Sequence, residues 1–306
     1  MNCPVIVFVY NRPGHTKRLL NSIANSSIAE LVDLYVFCDG PKSIADEDGV
    51  KSVRELVRSF SGTKSIVVRD SSVNKGLAAS VRAGVSDVFN EHDAVIVLED
   101  DLELSPVALE YLKMCAVKLR SYPEIFSFTG YSYPQRTLRH RDSYPCDNFY
   151  LARPCSWAWG TWKDRWESVQ WSGDIFDSFL RRTDIQEDFR LQCGSDVSRM
   201  LKKQLSGQIS SWAILFTYNC FLQKRYCSYP VKSYVNNGGA DGSGTHKGLN
   251  SEYIFNEQLN GEVEDNFSEK FHLDPDVFSQ FDQFVRKKYY FRRLRFEIEK
   301  LVNKVL

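Results

Sequence analysis

The sequence lacks the features that would mark a membrane-spanning, zinc-binding or nucleic-acid-binding protein. In its 306 residues no window approaches the roughly 18 apolar residues of a transmembrane helix. The eight cysteines are scattered, with no CxxC pair and no zinc spacing, so we expect them to be reduced. Lysine plus arginine and aspartate plus glutamate each number 39, so the net charge is zero and gives no general attraction to nucleic acid.

Two phosphate-binding signatures are also missing. The chain contains neither a GxGxxG sequence nor a P-loop, which argues against a dinucleotide-dependent dehydrogenase or an NTPase. The first apolar run begins at residue 4 and leaves no room for a signal peptide before it. We therefore expect a cytoplasmic protein. With 43% hydrophobic residues, the chain is able to bury a core for one large domain or two small ones.

Short apolar runs alternate with helical patterns in the first 130 residues. The runs are rich in β-branched residues and lie at 4–10, 34–38, 65–69, 94–98 and 125–129. Between them, apolar residues recur at helical spacing, and the segment after the third run is rich in alanine and glycine. Four strand-to-helix units predict an α/β fold, with a mostly parallel sheet covered by helices on both faces.

Three consecutive acids, Glu99, Asp100 and Asp101, directly follow the run 94–98. In an open α/β sheet, ligands bind at the carboxyl ends of the strands, and alternation along a strand predicts that Glu99 and Asp101 point to one side. Two such carboxylates suit Mg²⁺ or Mn²⁺ bound together with phosphate oxygens. The alternative interpretation is that the acids stabilise the N-terminus of a helix opened by Ser105-Pro106.

Polar residues also follow the first and second runs. Asn11 and Arg12 come after the first, and Asp39 comes after the second, so all three are expected on the same rim as the acids. Asp39 is suited to accept from a base or ribose, and Arg12 to pair with phosphate. Each also has a structural interpretation, since Asp-Gly-Pro forms turns and an arginine after a strand is often only solvated.

The chain becomes aromatic and irregular after Tyr131, with four tryptophans at positions 157, 159, 162 and 166. Three of them have helical spacing, which predicts a packed helix. The other interpretation is that Trp157 and Trp159 stack on sugar faces or line a cleft. Charged helical patterns over 173–208 and an apolar helix over 209–222 follow. The segment 236–246 contains four glycines and ends in His246, which is suited to close over a diphosphate and its metal.

These pieces, in this order, resemble the GT-A fold nucleotide-sugar glycosyltransferases, specifically the bacterial family 2-like enzymes related to animal β-1,2-N-acetylglucosaminyltransferase I. The resemblance covers about residues 4–250. It is carried by the stretches VFVYNRPGHTKRLLNSI, VFCDGPK, NKGLAASVRAGV, VIVLEDDLELSP, PCSWAWGTWKDRW, ISSWAILF and YPVKSYVNNGGADGSGTH. It implies an inverting, metal-dependent transfer of a sugar from a UDP-sugar to a hydroxyl group.

The resemblance also implies residue roles. The acidic triplet would be a variant of the DXD motif, in which Asp101 binds manganese while Glu99 and Asp100 contact the nucleotide sugar. His246 would close on the metal or the diphosphate. The residues implied to hold or approach the uridine are Tyr10, Asn11, Arg12, Asp39, Asn74 and Gly76.

The sequence departs from this family at position 210. Related sequences often carry an aspartate there, which in the animal enzyme deprotonates the acceptor, but this chain has Ser210 followed by Ser211. A serine does not act as a carboxylate base at neutral pH. Asp196 and Asp164 are the alternative candidates, although Asp196 is also interpretable as a helix cap and Asp164 as a salt-bridge partner.

We expect three regions: a nucleotide-sugar-binding half at 1–130, an acceptor-binding region at 131–250 and a helical tail at 251–306. The tail segment 284–305 is basic and amphipathic. It is expected either to contact the anionic inner face of the cytoplasmic membrane or to form a docking or dimerising helix.

The function expected from these features is a glycosyltransferase that adds a hexose or an N-acetylhexosamine to a bacterial surface glycan, such as O-antigen or capsule, with a lipid-linked acceptor as one possibility. Two alternatives stay open. One is a nucleotidyltransferase, which would need a phosphate loop richer in glycine and lysine than Arg12-Pro13-Gly14. The other is a catalytically silent protein that binds glycans or nucleotide sugars, which the serine at position 210 favours.

Overall fold

The structure is a computed structural model that describes residues 3–139, 143–239 and 258–286. Its strands in chain order are β1 Val5–Val9, β2 Asp33–Cys38, β3 Ser65–Asp70, β4 Ala94–Glu99, β5 Leu102–Leu104, β6 Ile125–Thr129, β7 Asn148–Leu151, β8 Trp159–Trp162, β9 Tyr226–Pro230 and β10 Val235–Asn237. Its helices are α1 Pro13–Ala24, α2 Glu47–Arg58, α3 Leu77–Val88, α4 Ala108–Lys118, α5 Lys163–Glu167, α6 Asp174–Arg181, α7 Thr183–Cys193, α8 Val197–Leu205, α9 Trp212–Leu222 and α10 at 275–286. Two 3₁₀ turns lie at Ala29–Leu31 and Ile44–Asp46.

Eight of these strands form one sheet in the order β3-β2-β1-β4-β8-β6-β9-β7. The first four are mutually parallel, β8 is antiparallel to both β4 and β6, and β7 is antiparallel to β9. Six of the eight strands therefore run in one direction. The predicted α/β class, with a mostly parallel sheet flanked by helices, is confirmed.

Alternation along β1 explains why helices cover both faces of the parallel half. Val5, Val7 and Val9 face a core cluster that includes residues of α1, α2 and α4, while Ile6 and Phe8 face a second cluster that includes residues of α3 and α9. Every residue of β1 is buried, as expected for a continuous apolar strand. Helices on both faces leave the carboxyl ends of these strands as an open rim.

The small residues of α3 allow that helix to lie close to the sheet. A Cβ atom at Gly84 would come within 2.8 Å of the Phe8 ring and 3.2 Å of the Phe37 ring. These two rings stack with centroids 5.3 Å apart. A side chain at position 84 would therefore push the helix away from β1 and β2.

The helix predicted through the tryptophan-rich segment is wrong, because residues 159–162 form the strand β8 and helix α5 begins only at Lys163. Trp159 is fully buried, and its ring stacks on Trp212 of α9 at 4.7 Å. It therefore belongs to the core between the sheet and α9, and the prediction that it lines a cleft is corrected. Gly160 is required beside it, since a Cβ there would lie 2.2 Å from the Phe128 ring.

The second half of the molecule surrounds β9 and β7. Helices α6 to α9 pack through their own apolar cluster, while α10 buries Val277, Phe281 and Val285 against β7 and β9. The part of the tail that the structure describes therefore docks on its own chain, and residues 287–306 lie outside the described ranges. Within the described ranges, no helix combines the length and the apolar character needed to cross a bilayer.

Candidate functional site

The centre of the rim is an ion cluster formed by Arg12, Asp100 and Asp101. Arg12 lies just after β1, and the two acids form a turn directly after β4, the strand paired with β1. The Arg12 guanidinium donates to both oxygens of Asp100, through Nη2 and through Nε at 3.2 Å, and Nη2 also lies 3.2 Å from Oδ2 of Asp101. Strand pairing therefore brings Arg12 together with two acids that follow it by 88 and 89 positions in the chain.

Asp101 is held from its other side by the segment that follows β9. β10 pairs antiparallel with β5, which places Asn237 opposite Leu102. The Asn237 side chain donates to Oδ1 of Asp101 at 3.3 Å, and the Gly238 N–H donates to the Asp101 carbonyl at 2.7 Å. A Cβ atom on Gly239 would lie 2.3 Å from Oδ2 of Asp101, so only glycine fits there without movement.

The strand alternation that predicted a common side for Glu99 and Asp101 does not extend beyond Glu99. β4 ends at Glu99 and the chain turns at 100–101, so the alternation stops before Asp101. Glu99 is paired with Phe8, whose ring belongs to the opposite core cluster from Leu98. Burial, with smaller contributions from the charges of Asp101 and Asp100, raises the pKa of Glu99 to about 8. Burial and the two neighbouring acids therefore favour the protonated form of Glu99 in the metal-free chain.

A second cluster on the rim is built around Asp39, which follows β2. Its Oδ1 accepts from the backbone N–H groups of Gly40 and Lys75, and its Oδ2 accepts from that of Gly76, all at 2.9 Å. The Asn74 side chain donates to the Gly40 carbonyl at 2.8 Å. Asp39 thus fixes the loop before α3, including Gly76 with its φ of +75°, a backbone conformation that favours glycine.

Tyr10 and Asn11 hold the neighbouring loop. The Tyr10 hydroxyl accepts from the Lys42 N–H at 3.0 Å, and the Asn11 amide donates to Asp46 at 2.7 Å. Burial, partly offset by the Lys42 N–H, raises the pKa of Tyr10. The structure places all the residues predicted to hold the uridine on one rim, and it shows that their side chains already organise the loops there.

Comparisons with known proteins add little to this geometry. No family model and no curated protein match the chain. Among solved structures, S. aureus TarS residues 1–349 give a TM-score of 0.45 at 15% identity over 77% of this chain and 60% of that chain. A longer TarS structure gives 0.40 at 16% identity, over 77% and 36%. The mannosyltransferase PcManGT from Pyrobaculum calidifontis, in complex with GDP-Man and Mn²⁺, gives 0.41 at 10% identity, over 72% and 69%.

The chain thus spans about 60% and 36% of the length of the two TarS chains. These likenesses do not place it in a family. Its chemistry therefore has to be inferred from its own residues.

Asp196, the first candidate base, is engaged in an ion pair. Arg153 donates to both of its oxygens, with Nη2 3.1 Å from Oδ2, and the Asp196 side chain is only 10% exposed. Arg153 also lies over the Phe281 ring of α10. Burial lowers the pKa of Arg153, but the charge and hydrogen bonds of Asp196 outweigh it and raise the pKa overall. Two charge-assisted hydrogen bonds make this carboxylate a poor proton acceptor.

Asp164, the second candidate base, lies at the opposite edge of the sheet. It follows β8, whose last residue, Trp162, pairs with Ala94 at the start of β4. Its carboxylate is half exposed and pairs with Arg120 and Arg165. Its prediction as a base is corrected, because the length of β4 separates it from the acids at 99–101.

Ser210 and Ser211 lie where the chain enters α9. Ser210 is exposed, and the Ser211 hydroxyl accepts from the Ile214 N–H at 3.4 Å as the N-cap of the helix. Because α9 leads into β9, which is parallel to β6, the N-terminus of α9 lies at the same edge of the sheet as the acids. Ser211 therefore has a structural role, and neither serine supplies a base.

Trp157 lies at the rim end of β8, two residues before Trp159, which pairs with Val97 of β4. It is half-buried, its carbonyl accepts from Thr129 at the end of β6 at 2.6 Å, and its ring meets Tyr131 edge-on at 4.5 Å. Of the two tryptophans predicted to line a cleft, only Trp157 has accessible surface. His246 lies outside the described residues.

Sequence reasoning missed Asn237 as a contact of Asp101 and His15 as a neighbour of the cluster. His15 on α1 is buried, bonds Arg18 at 2.7 Å and lies 3.9 Å from the position of a Gly238 Cβ. The signal for Asn237 was the Asn-Asn-Gly-Gly sequence that opens the glycine-rich segment 236–246. No comparable sequence signal marks His15.

The atoms around Asp101 fit a divalent cation that is bound by one carboxylate and mainly by the phosphate oxygens of a bound nucleotide. Within the described residues, no three His, Cys, Asp or Glu side chains converge on one point, so the protein does not offer a complete cage. A hard carboxylate with phosphate oxygens in the other positions is a common arrangement for Mg²⁺ and Mn²⁺. The absent Cβ of Gly239 leaves space at Oδ2, and Nη1 of Arg12 is a buried donor without a hydrogen-bond partner among the described residues.

Proposed function

We propose that the protein is a metal-dependent glycosyltransferase that transfers a sugar from a UDP-sugar to a hydroxyl group of a bacterial surface glycan, with inversion at the sugar carbon. The observation that carries the proposal is the cluster of Arg12, Asp100 and Asp101 on the rim of the parallel strands. It combines a carboxylate suited to a cation with an arginine suited to an anion, which is what a nucleoside diphosphate leaving group requires.

In this proposal Asp101 holds Mn²⁺ or Mg²⁺, and His246 is a further candidate ligand. When bound, the cation neutralises the charge that develops on the departing diphosphate. Asn237 and Gly238 keep the Asp101 carboxylate and backbone in place, so the cation meets a preformed ligand. Glu99, the last residue of β4, and Asp100, in the turn that follows, are the proposed contacts of the nucleotide sugar.

The nucleoside is proposed to lie against the loops around Asp39, Asn74 and Gly76 and against Tyr10 and Asn11. Both carboxylate oxygens of Asp39 accept hydrogen bonds from backbone N–H groups. This supports a role for Asp39 in positioning the loops rather than in contacting the nucleoside through both oxygens. These loops are bound to each other before any ligand arrives, which lowers the entropy cost of ordering them on binding.

The acceptor sugar is proposed to stack on Trp157, the half-buried tryptophan at the rim end of β8. An aromatic face suits the apolar face of a sugar and orients it without fixing which hydroxyl reacts. Asp196 and Asp164 are left out of the chemistry because each is ion-paired, and Asp164 lies at the wrong edge.

A catalytically silent protein that binds nucleotide sugars is the second candidate. It is favoured by the exposed serine at position 210 and by the engagement of Asp196 with Arg153. Both candidates predict Mn²⁺-dependent stabilisation by UDP, because a ligand that binds only the folded state raises its stability.

The deciding experiment incubates the chain with Mn²⁺, individual UDP-sugars and candidate glycan acceptors, and measures the release of UDP. The transferase is expected to release UDP faster with acceptor than without it, and chelation of Mn²⁺ is expected to stop the release. Thermal stabilisation by UDP and Mn²⁺ without UDP release from any donor would instead favour the silent binding protein.

A further inference from the structure

Most of the hydrogen-bonding capacity of the Arg12 guanidinium is used by the acids Asp100 and Asp101. Its guanidinium donates three hydrogen bonds to Asp100 and Asp101, and its side chain is only 18% exposed. The pKa of Arg12 is lowered by burial, but the hydrogen bonds and charges of the two acids raise it above its ordinary value overall. The arginine therefore stays charged at any pH where the protein is folded.

This charge lies where it opposes a cation at Asp101. Nη2 of Arg12 is 3.2 Å from Oδ2 of Asp101, one of the two oxygens that a metal ion could use. Two positive charges this close repel each other, and the partly buried position weakens solvent screening. Repulsion from Arg12 therefore weakens the binding of a cation at Asp101 unless another anion pairs with the guanidinium.

Asp101 does not need Arg12 to stay in position. Asn237 donates to Oδ1, and the Gly238 N–H donates to the Asp101 carbonyl. Removing the arginine would therefore take away a competing charge while leaving the carboxylate held by the segment after β9.

Arg12 also has a hydrogen-bond donor available for an incoming anion. Its Nη1 is buried and has no hydrogen-bond partner within the described ranges, although the other two nitrogens are fully used. An unsatisfied buried donor costs free energy that an anion oxygen would recover. A diphosphate is an anion of suitable charge, since it also supplies oxygens to the cation.

We propose that Arg12 is an internal counter-ion of Asp101 that weakens binding of a divalent cation alone and makes cation and diphosphate binding cooperative. The inference rests on the proposed function, because it takes Asp101 as the cation ligand. It also gives Arg12 a role in the order of binding. The cation binds tightly only when a diphosphate is present to accept hydrogen bonds from Arg12.

The test titrates Mn²⁺ alone into the metal-free chain and follows the electron paramagnetic resonance signal of free Mn²⁺. Arg12→Gln is expected to bind Mn²⁺ at least about fivefold more tightly than the wild type, the lower end of typical coupling between sites. The matched control is Lys17→Gln, which removes the same charge from the exposed face of α1 and is expected to bind as the wild type does. Arg12→Met is a second neutral variant in case the glutamine variant does not fold.

Repeating the titration with inorganic pyrophosphate tests the cooperativity. Pyrophosphate, beyond its own measured binding of Mn²⁺, is expected to tighten Mn²⁺ binding in the wild type and in Lys17→Gln, and to do so much less in Arg12→Gln. Arg12→Lys keeps the charge and is expected to stay closer to the wild type than the neutral variants do.

The outcomes separate this inference from the proposed function. If the neutral variants bind Mn²⁺ no more tightly than the wild type, the counter-ion role is wrong while the transferase remains possible. If they bind it more tightly but the wild type releases UDP from no UDP-sugar, the counter-ion role stands and the transferase proposal fails. Absence of Mn²⁺ binding in every variant, with or without pyrophosphate, would refute both.

Discussion

Replacing Asp196 by asparagine removes the charge from a carboxylate that is 10% exposed and bound twice by Arg153. The change leaves Arg153, itself only 21% exposed, without its counter-charge. Breaking a buried ion pair from one side costs about 3 to 5 kcal/mol. For a chain of 306 residues that unfolds in one step, this corresponds to a fall in Tm of about 5 to 8 °C.

The matched control is Asp184→Asn. Both oxygens of Asp184 also accept hydrogen bonds from one arginine, Arg182. The Asp184 and Arg182 side chains, however, are 62% and 60% exposed. An exposed pair contributes little to stability, so no comparable fall in Tm is expected. Differential scanning calorimetry of the two variants and the wild type provides the comparison.

The same two variants decide whether Asp196 acts as the base. With a purely structural role, Asp196→Asn assayed well below its Tm is expected to keep UDP release within a few-fold of the wild type. Loss of a general base typically costs about 10²- to 10⁴-fold in rate. An unchanged Tm together with such a loss would refute the structural role of this ion pair.

Three further predictions follow from single contacts. Gly239→Ala places a Cβ 2.3 Å from Oδ2 of Asp101 and is expected to weaken Mn²⁺ affinity in calorimetric titrations, whereas Gly261→Ala, with no atom within 4 Å of its Cβ, is not. Trp159→Ala is expected to cost about 3 to 5 kcal/mol in urea unfolding, because the ring is fully buried; a smaller cost would contradict its place in the core. Since the folded pKa of Glu99 is about 8 against an ordinary 4.5, the metal-free fold binds this proton more tightly than the unfolded chain. Its stability should therefore fall as the pH rises from about 5 to 8, and Glu99→Gln should reduce this fall; an equal fall in the variant would contradict the raised pKa of Glu99.

The parallel half of the fold was predictable because its strands are continuous apolar runs. β1, β4 and β6 are buried at every position or nearly so, and such runs have few alternatives in a chain with helical patterns between them. The tryptophan-rich segment was harder, because a spacing of three or four residues also occurs when a strand runs directly into a helix. Trp159 and Trp162 belong to β8, and Trp166 belongs to α5.

The site was predictable as a rim but not as a set of contacts. Local pattern located Arg12, Asp39 and the acids at strand ends, since parallel strands bring those ends together. It did not reveal that Arg12 is held by the acids or that Asn237 reaches Asp101, because both depend on pairings between segments more than 80 residues apart. The turn at 100–101 likewise ends the strand alternation before Asp101, so alternation alone did not define how Glu99 and Asp101 lie relative to each other.

The most direct test of the proposed function compares Asp101→Asn with Glu103→Gln in calorimetric titrations of UDP, with and without Mn²⁺. Glu103 is the matched control because it is an exposed acid two residues further along the same segment. We expect Mn²⁺ to tighten UDP binding in the wild type and in Glu103→Gln, and to have no such effect in Asp101→Asn. Mn²⁺-dependent UDP binding that is unchanged in Asp101→Asn would contradict the assignment of this carboxylate, and with it the proposed metal-dependent transfer.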